Sequence, residues 1–234
     1  MVMPVPMPST YLRPEQRTKL DATADHLFYD QPRFVTHVDT GFLDRLTELY
    51  RRCLPPQGRI LDLMSSWVSH LPDEMSFSWV EGHGMNEAEL KRNPRLDHFF
   101  CQDLNQDPEL PLEDNSFDAV INTVSVQYLQ YPEAIFSEIH RVLKPGGLAV
   151  ISFSNRMFFQ KAIQVWRDGD EASRIKLVVD YFASVQHDGL PGFQTPKAIA
   201  EKGAAPALFQ LFGLAAADPF YAVMAQRYDS PQNP

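Results

Sequence analysis

Two continuously apolar runs lie in the middle of the chain, FDAVINTVSV (117–126) and LAVISFS (148–154). A strand that is apolar at every position, and not only at alternate ones, is typical of a parallel sheet covered on both faces. Between the runs, Pro132 begins a helical pattern that has Ile135 and Ile139 on one face. Strand, helix and strand in this order predict a crossover unit with parallel strands.

The same alternation continues towards both ends of the chain. Asp39 or Thr40 is expected to cap a helix, and three further strands are predicted at RILDL (59–63), SFSWVEG (76–82) and DHFFCQD (97–103). After the fifth strand, the pattern predicts helices near 155–166 and 170–185, a helical pair broken at Pro206 over 196–212, and two short strands, GLAAAD (213–218) and FYAVMAQR (220–227). The last two strands are joined by a tight turn and must be antiparallel.

The fold class that follows is α/β: a doubly wound, mostly parallel seven-stranded sheet, Rossmann-like, with an antiparallel C-terminal hairpin. A chain of 234 residues can bury one good core with a small appendage. We therefore predict an N-terminal arm or lid over residues 1–38, the main domain over 39–228 and a tail over 229–234.

Composition limits the partners. The net charge of −9 argues against a nucleic-acid backbone or an anionic membrane as the main partner. No run reaches transmembrane length and the start lacks a signal-peptide core, so a cytoplasmic protein is expected. Cys53 and Cys101 stand in apolar contexts and are interpreted as small buried hydrophobes. Whether the chain is a monomer or a homodimer stays open.

Residues 110–155 carry a more specific pattern. It consists of the strand entry Phe117–Asp118, the aromatic residue Tyr128 after the strand, a helix, RVLKPGG and another strand. This block resembles the class I S-adenosylmethionine-dependent methyltransferases, in their type 11, small-molecule branch. The resemblance covers about residues 40–228. It implies methyl transfer from S-adenosylmethionine to a small-molecule substrate.

The resemblance also implies a set of cofactor-binding residues. Asp62 stands where the family's first-motif acid ends the first strand, and Asp103 stands where a carboxylate accepts from the adenine amine. The resemblance implies further contacts at Leu104, Asn122, Thr123, Val124 and Gln127. Where the chain departs from the family pattern, the predicted cofactor contacts are Met64, Ser65, Ser66, Gly82, Gly84 and Asn86.

The loop DLMSSWVSHLP departs from the family because it contains no glycine, and two interpretations stay open. In a rebuilt loop, Ser65, Ser66 and backbone N–H groups contact the cofactor and Trp67 points away. In a plugged loop, Met64 and Trp67 fill the cleft, and the chain is an inactive binding or regulatory protein. A nicotinamide-dependent oxidoreductase is disfavoured, because it would need glycines against the pyrophosphate.

The second departure is Gly84, which stands where a ribose-binding carboxylate would align. Asn86 could contact the ribose instead, or could simply cap the helix over NEAELKRN.

Methyl transfer from a sulfonium requires the protein to position the nucleophile and exclude water. A general base is needed only when the nucleophile is protonated. His37 and Tyr128 are the catalytic candidates. The substrate candidates are Tyr29, Arg33, Asn155 and Arg156. The two arginines among them could bind a carboxylate or a phosphate. No Cys/His cluster predicts a metal site, and no nucleophile elbow is present.

Overall fold

The computed structural model describes residues 11–203 and 217–228. Its helices and strands follow in the order that the apolar runs predict, up to the fifth strand. The strands are β1 (Arg59–Asp62), β2 (Trp79–Gly84), β3 (His98–Cys101), β4 (Phe117–Thr123), β5 (Leu143–Phe153), β6 (Gln186–His187), β7 (Leu190–Pro191), β8 (Lys197–Glu201) and β9 (Phe220–Gln226). The helices are α1 (Asp25–Tyr29), α2 (Thr40–Cys53), α3 (Glu87–Arg92), α4 (Pro132–Val142), α5 (Gln164–Asp168) and α6 (Glu171–Ser184).

Seven of the strands form one sheet in the order β3-β2-β1-β4-β5-β9-β8. The first five strands of this order are parallel, and β9 is antiparallel to both β5 and β8. The predicted doubly wound sheet with an antiparallel C-terminal pair is confirmed. In the register of the sheet, Asp62 pairs with Gly82 on one side and with Ile121 on the other. The carboxyl ends of β1, β2 and β4 therefore lie at one edge.

Helix α2 shows how the sequence fixes one face of the sheet. The Asp39 carboxylate accepts from the N–H of Phe42 at 2.8 Å, which confirms the predicted cap, a contact worth about 1 kcal/mol. Phe42, Leu46 and Tyr50 are fully buried on the side of the helix that packs against the sheet. The Tyr50 hydroxyl lies 2.8 Å from Oγ1 of Thr123, so the helix is also bound to the end of β4.

The opposite face of the sheet is covered by α4 and α6. Their apolar residues, among them Phe136, Ile139 and Phe182, belong to one buried cluster with β4 and β5. Both faces are therefore covered, as the continuously apolar strands require.

The region after β5 differs from the prediction. The expected helix over 155–166 is wrong, because only Gln164–Asp168 is helical. The preceding residues are held instead by the N-terminal arm: Gln164 N–H donates to the carbonyl of Thr18, and Asp21 N–H donates to the carbonyl of Gln160. These tertiary contacts override the local helical pattern.

The C-terminal antiparallel pair has a different first member from the one predicted. Residues 197–201, expected to be helical, form β8 and pair with β9. Residues 202–203 of that expected helical pair are not helical, and residues 204–212, together with residues 213–216 of the expected strand GLAAAD, lie outside the described residues. β2 also begins at Trp79, later than predicted, and Cys101 is exposed at the end of the edge strand β3, which corrects its interpretation as a buried hydrophobe.

The described part of the arm, residues 11–38, is fastened to the domain by buried charges. Arg17 forms an ion pair with Glu133 on α4, and both side chains are buried. Lys161, fully buried, lies 3.2 Å from a carboxylate oxygen of Asp21 and 3.3 Å from one of Asp25. Within the described ranges, no helix combines the length and apolar character needed to cross a bilayer.

Candidate active site

A cavity of about 160 Å³ opens at the carboxyl ends of β1, β2 and β4. Crevices at this edge of parallel α/β sheets are the usual ligand sites. Most of the implied cofactor residues lie in its wall, together with several residues of the arm. The predicted residues among its lining are Tyr29, His37, Asp62, Met64, Ser65, Ser66, Gly84, Asn86, Asp103, Leu104, Thr123, Val124 and Tyr128.

The glycine-less loop after β1 has the backbone shape that a glycine would favour. Met64 has a φ of 59°, in the left-handed region, and two other residues of the cavity wall, His70 and Val124, have φ values of 54° and 52°. This conformation costs an L-residue about 1–2 kcal/mol, and more for the β-branched Val124. Such backbone strain concentrates at functional sites. Three of the six non-glycine residues with positive φ in the described chain therefore line this one cavity.

His83 on β2 holds the loop in place. Its Nδ1 accepts from the N–H of Met64 at 3.1 Å, and its carbonyl accepts from the N–H of Ser65 at 2.6 Å. Its Nε2 lies 3.1 Å from the carbonyl of Gln102, which it can donate to. Burial lowers the pKa of His83 to about 4, so the ring is neutral at pH 7 and can accept and donate at once.

Gly84 explains the second departure from the family pattern. A Cβ atom at this position would lie 2.7 Å from the carbonyl oxygen of Ser65. The end of β2 and the loop therefore approach too closely for a side chain. A carboxylate at position 84 is excluded by the way this loop packs.

Asp62 is buried beneath the loop. Its Oδ2 accepts from the hydroxyl of Ser65 at 2.6 Å. Burial raises the pKa of Asp62 to about 6, although the hydroxyls of Ser65 and Ser69 favour the charged form. Ser65 therefore supports the acid from within the loop.

Trp67 faces the arm. Its Nε1–H donates to the carbonyl of Val35 at 3.2 Å, and its ring meets the ring of Phe34 edge to face at 6.5 Å. Met64 packs against the core cluster around β4 and β5. These two side chains, the candidates for a plug, are thus engaged with the arm and the core.

Glu89 links the loop to the arm a second time. Its two carboxylate oxygens accept from the hydroxyl of Ser66 and from the N–H of Arg33, each at 2.6 Å. The polar side chains that replace glycine in the loop therefore hold the arm over the cavity.

Asn86 caps α3, so the helix-cap interpretation is confirmed. Its Oδ1 accepts from the N–H of Glu89 at 3.1 Å, while its Nδ2 donates to the carbonyls of Tyr29 at 2.8 Å and Asp30 at 3.0 Å. All its polar atoms have partners, although the side chain lies in the cavity wall.

Asp103 and Leu104 follow β3 and also line the cavity. Asp103 Oδ1 accepts from the N–H of Asn105 at 3.0 Å, a local turn contact that leaves its other oxygen free of protein hydrogen bonds in the described chain. The Asn105 amide donates to Asp25 at 2.9 Å and to the carbonyl of Tyr128 at 3.0 Å, and so connects the adjoining wall with the arm.

Aromatic rings form the wall beside the arm. The Tyr128 hydroxyl accepts from the N–H of Phe158 at 2.8 Å, and the two rings stack at 5.9 Å. The imidazole of His37 meets the Phe158 ring at 5.1 Å. Burial lowers the pKa of His37 and raises the pKa of Tyr128, so both side chains are uncharged at pH 7.

Six predicted site residues are not part of the cavity lining. Gly82 is packed under Leu96, where a Cβ would lie 2.3 Å from a methyl carbon and collide with it. The amides of Asn122 and Gln127 donate to the carbonyls of Leu63 at 3.0 Å and Val124 at 2.9 Å. Both amide oxygens are buried and have no hydrogen-bond partner among the described residues.

The predicted substrate arginines are engaged elsewhere. Arg33 donates to the carbonyl of Phe28 at 2.9 Å and stacks over its ring at 4.5 Å. Arg156 pairs with buried Asp218 at 2.7 Å, and Asn155 is an exposed neighbour of that pair. Both arginines therefore make contacts within the protein that stabilise the fold.

Sequence reasoning missed His83, Glu89 and Phe158 as parts of the cavity wall. His83 was detectable, because it stands between two glycines at the end of a predicted strand. Glu89 and Phe158 gave no signal, since each depends on how the arm folds back. Within residues 11–203 and 217–228, no group of three or more His, Cys, Asp or Glu side chains is arranged to hold a metal ion.

Comparison with known proteins places this geometry. Residues 82–151, from within β2 to within β5, match the family model described as a methyltransferase domain. The chain is 33% identical over 69 residues to the malonyl-(acyl-carrier protein) O-methyltransferase of Marinomonas sp., a match to 30% of this chain. The matched part spans about a quarter of the length of the first curated relatives, 24% and 22%.

Solved structures share the fold at low identity. A S-adenosylmethionine-dependent methyltransferase from Mesorhizobium loti aligns with a TM-score of 0.50 and 19% identity, over 79% of this chain and 100% of its own. A phosphoethanolamine N-methyltransferase from Haemonchus contortus, solved with S-adenosylmethionine, aligns with a TM-score of 0.53 and 16% identity, over 80% of this chain and 52% of its own. The resemblance to methyltransferase domains, and the fold that it implies, are confirmed.

Proposed function

We propose that this chain, which has the methyltransferase fold and a methyltransferase-domain match over residues 82–151, binds S-adenosylmethionine and transfers its methyl group to a small molecule. The observation that carries the proposal is the acidic cavity at the carboxyl ends of β1, β2 and β4. Its wall includes the loop after β1, in which Met64 has a left-handed backbone conformation, and Asp103 after β3. The family match begins beside this loop and does not include it.

The residues present suit the ligand. S-adenosylmethionine supplies a methyl group on a sulfonium cation, an electrophile that needs no activating acid. The carboxylates of Asp62, Glu89 and Asp103 line the cavity and are complementary to that positive charge. Asp103 has an oxygen available for an amine donor, and the backbone at Ser65 and Ser66 borders the same space.

Other residues of the chain would handle the acceptor. His37, uncharged and in the wall, is the group that takes a proton from an acceptor that carries one. Tyr128, whose hydroxyl is oriented by the N–H of Phe158, would position the acceptor. The arm over the cavity would exclude water. We infer accordingly that residues 1–38 act as a lid on a domain that spans 39–228, with a tail at 229–234.

The competing function is an inactive protein with a filled cleft. Met64 and Trp67 border the cavity, but the Trp67 ring contacts Val35 and Phe34 of the arm and Met64 packs against the core. These contacts favour the binding-competent loop.

Calorimetric titration with S-adenosylhomocysteine tests the proposal. We expect the wild type to bind, and Asp103→Ala to bind about tenfold or more weakly, since a charge-assisted hydrogen bond is worth about 1.5–3 kcal/mol. The control is Lys176→Ala, which removes a charge from a side chain that is 73% exposed and does not line the cavity, and it should leave affinity unchanged. If only Trp67→Gly binds and the wild type does not, the cleft is plugged and the inactive alternative holds.

A further inference from the structure

We infer that the methyl acceptor is a small amine, and that carboxylates and phosphates are excluded from the acceptor position. The inference rests on the proposed function and names its substrate class. Its basis is the charges and aromatic rings of the cavity wall.

The cavity wall contains acids and no strong base. Four carboxylates line it, those of Asp25, Asp62, Glu89 and Asp103, while no lysine or arginine does so among the described residues. An anionic acceptor placed beside these acids would be repelled by them, and no lysine or arginine of the lining would pair with it. An ammonium group would be attracted.

The two lysines beside Asp25 are already paired with carboxylates. Lys161, fully buried, lies within 3.3 Å of Asp21 and Asp25, and Lys19, nearly fully buried, lies 2.5 Å from Asp25. This cluster pairs two lysines with two aspartates. Asp25 is therefore compensated, and the other acids of the wall are Asp62, Glu89 and Asp103, of which Asp103 also lies near Lys19.

Neither of the two arginines that could grip an anion is among the residues that line the cavity. Arg33 stacks over the ring of Phe28 at 4.5 Å, with the ring centres of Phe158 and Tyr29 at 5.4 and 5.9 Å, and one of its guanidinium nitrogens donates to the carbonyl of Phe28. Arg156 is bound to buried Asp218. The histidines of the wall do not replace them. Burial lowers the pKa of His37, and lowers the pKa values of His70 and His83 to about 4, so none carries a positive charge at pH 7.

Aromatic rings line the cavity wall beside the arm. Tyr29, Tyr128 and Phe158 line the same part of the wall as His37. Aromatic faces attract cations, most strongly where water is removed. Rings and acids together suit an ammonium group with an apolar body.

His37 is the lining residue that would take the proton of the acceptor. The amine would bind as its ammonium form and give a proton to the uncharged ring of His37. Its nitrogen lone pair would then form the new N–C bond with the methyl group that bound S-adenosylmethionine supplies, and the electron pair of the broken S–C bond would stay on sulfur. The proton leaves His37 to water when the products are released.

Three probes that share one ring test the inference: benzylamine, benzyl alcohol and benzoate. Each is titrated by calorimetry into wild-type protein saturated with S-adenosylhomocysteine. We expect benzylamine to bind at least about tenfold more tightly than benzoate, with benzyl alcohol in between. Tyr29→Leu should reduce the preference for benzylamine, and Lys176→Ala, at an exposed side chain that does not line the cavity, should not.

Benzoate that binds as tightly as benzylamine, or no binding of benzylamine to the saturated protein, overturns the inference. Failure of the proposed function looks different, because S-adenosylhomocysteine itself would then not bind.

Discussion

Asp62→Asn should stabilise the protein at neutral pH while it weakens cofactor binding. Asp62 is 3% exposed, and burial raises its pKa from an ordinary value of 3.8 to about 6. The folded protein therefore holds the proton more tightly than the unfolded chain does. A neutral amide removes the penalty of a buried charge, and its oxygen can still accept from the hydroxyl of Ser65.

The magnitude follows from linkage between proton binding and folding. The difference between pKa values of about 6 and 3.8 corresponds to about 3 kcal/mol at pH values above both. The sign is set by the raised pKa: the wild type loses stability as pH rises through the window from about 4 to about 6. The variant lacks this loss. Its advantage in free energy of unfolding should grow across the window and level off near pH 7, at up to about 3 kcal/mol.

Urea unfolding of both proteins at a series of pH values between about 4 and 8 measures this difference. Asp188→Asn, at a side chain that is 89% exposed, is the matched control and should give no pH-dependent difference. Titration with S-adenosylhomocysteine is the second measurement, and there Asp62→Asn should bind more weakly than the wild type. A difference in stability that is constant with pH, or a variant less stable than the wild type at pH 7, would refute the assignment of Asp62 as a buried, destabilising acid.

Two further predictions concern the arm. Lys161→Met removes a fully buried cation and leaves buried carboxylates unpaired. We expect the free energy of unfolding to fall by about 3–5 kcal/mol and the arm to be cleaved faster by a protease. The control is Lys176→Met, at a side chain that is 73% exposed, which should change the free energy of unfolding by less than about 0.5 kcal/mol. Glu89→Ala takes the shared acceptor from Ser66 and from the N–H of Arg33, so the arm should be cleaved faster in limited proteolysis while the far-UV circular dichroism of the sheet is unchanged; an arm that stays protected contradicts the docking role.

The sequence predicted the elements whose contacts are local or strictly periodic. The continuously apolar runs became β4 and β5, and Asp39 and Pro132 began helices where their chemistry allows. The segment 197–201, KAIAE, has an alanine-rich, helix-compatible composition and yet forms β8. It does so because β9 offers an open edge, with Ala200 opposite Tyr221. Strand formation there was decided by pairing across the sheet.

The candidate site was predictable only as far as the strand ends are. Asp62, Gly84 and Asp103 follow strands, and so their meeting at one edge could be expected from the sheet topology. The contact between Trp67 and Val35 joins segments 32 residues apart, and no periodicity announces it. From the sequence alone, Arg156 could not be distinguished from a ligand-binding arginine, because its ion-pair partner Asp218 lies 62 residues later in the chain.

A loop that is held by side chains and not by glycines cannot be exchanged on its own. Replacing the first motif with a glycine-rich turn would remove the donors that Glu89 and the carbonyl of Val35 now accept from. Shortening the arm would uncover the ring of Trp67. In a chimeric protein, the loop and the arm must therefore be transferred together, because each is held by contacts with the other.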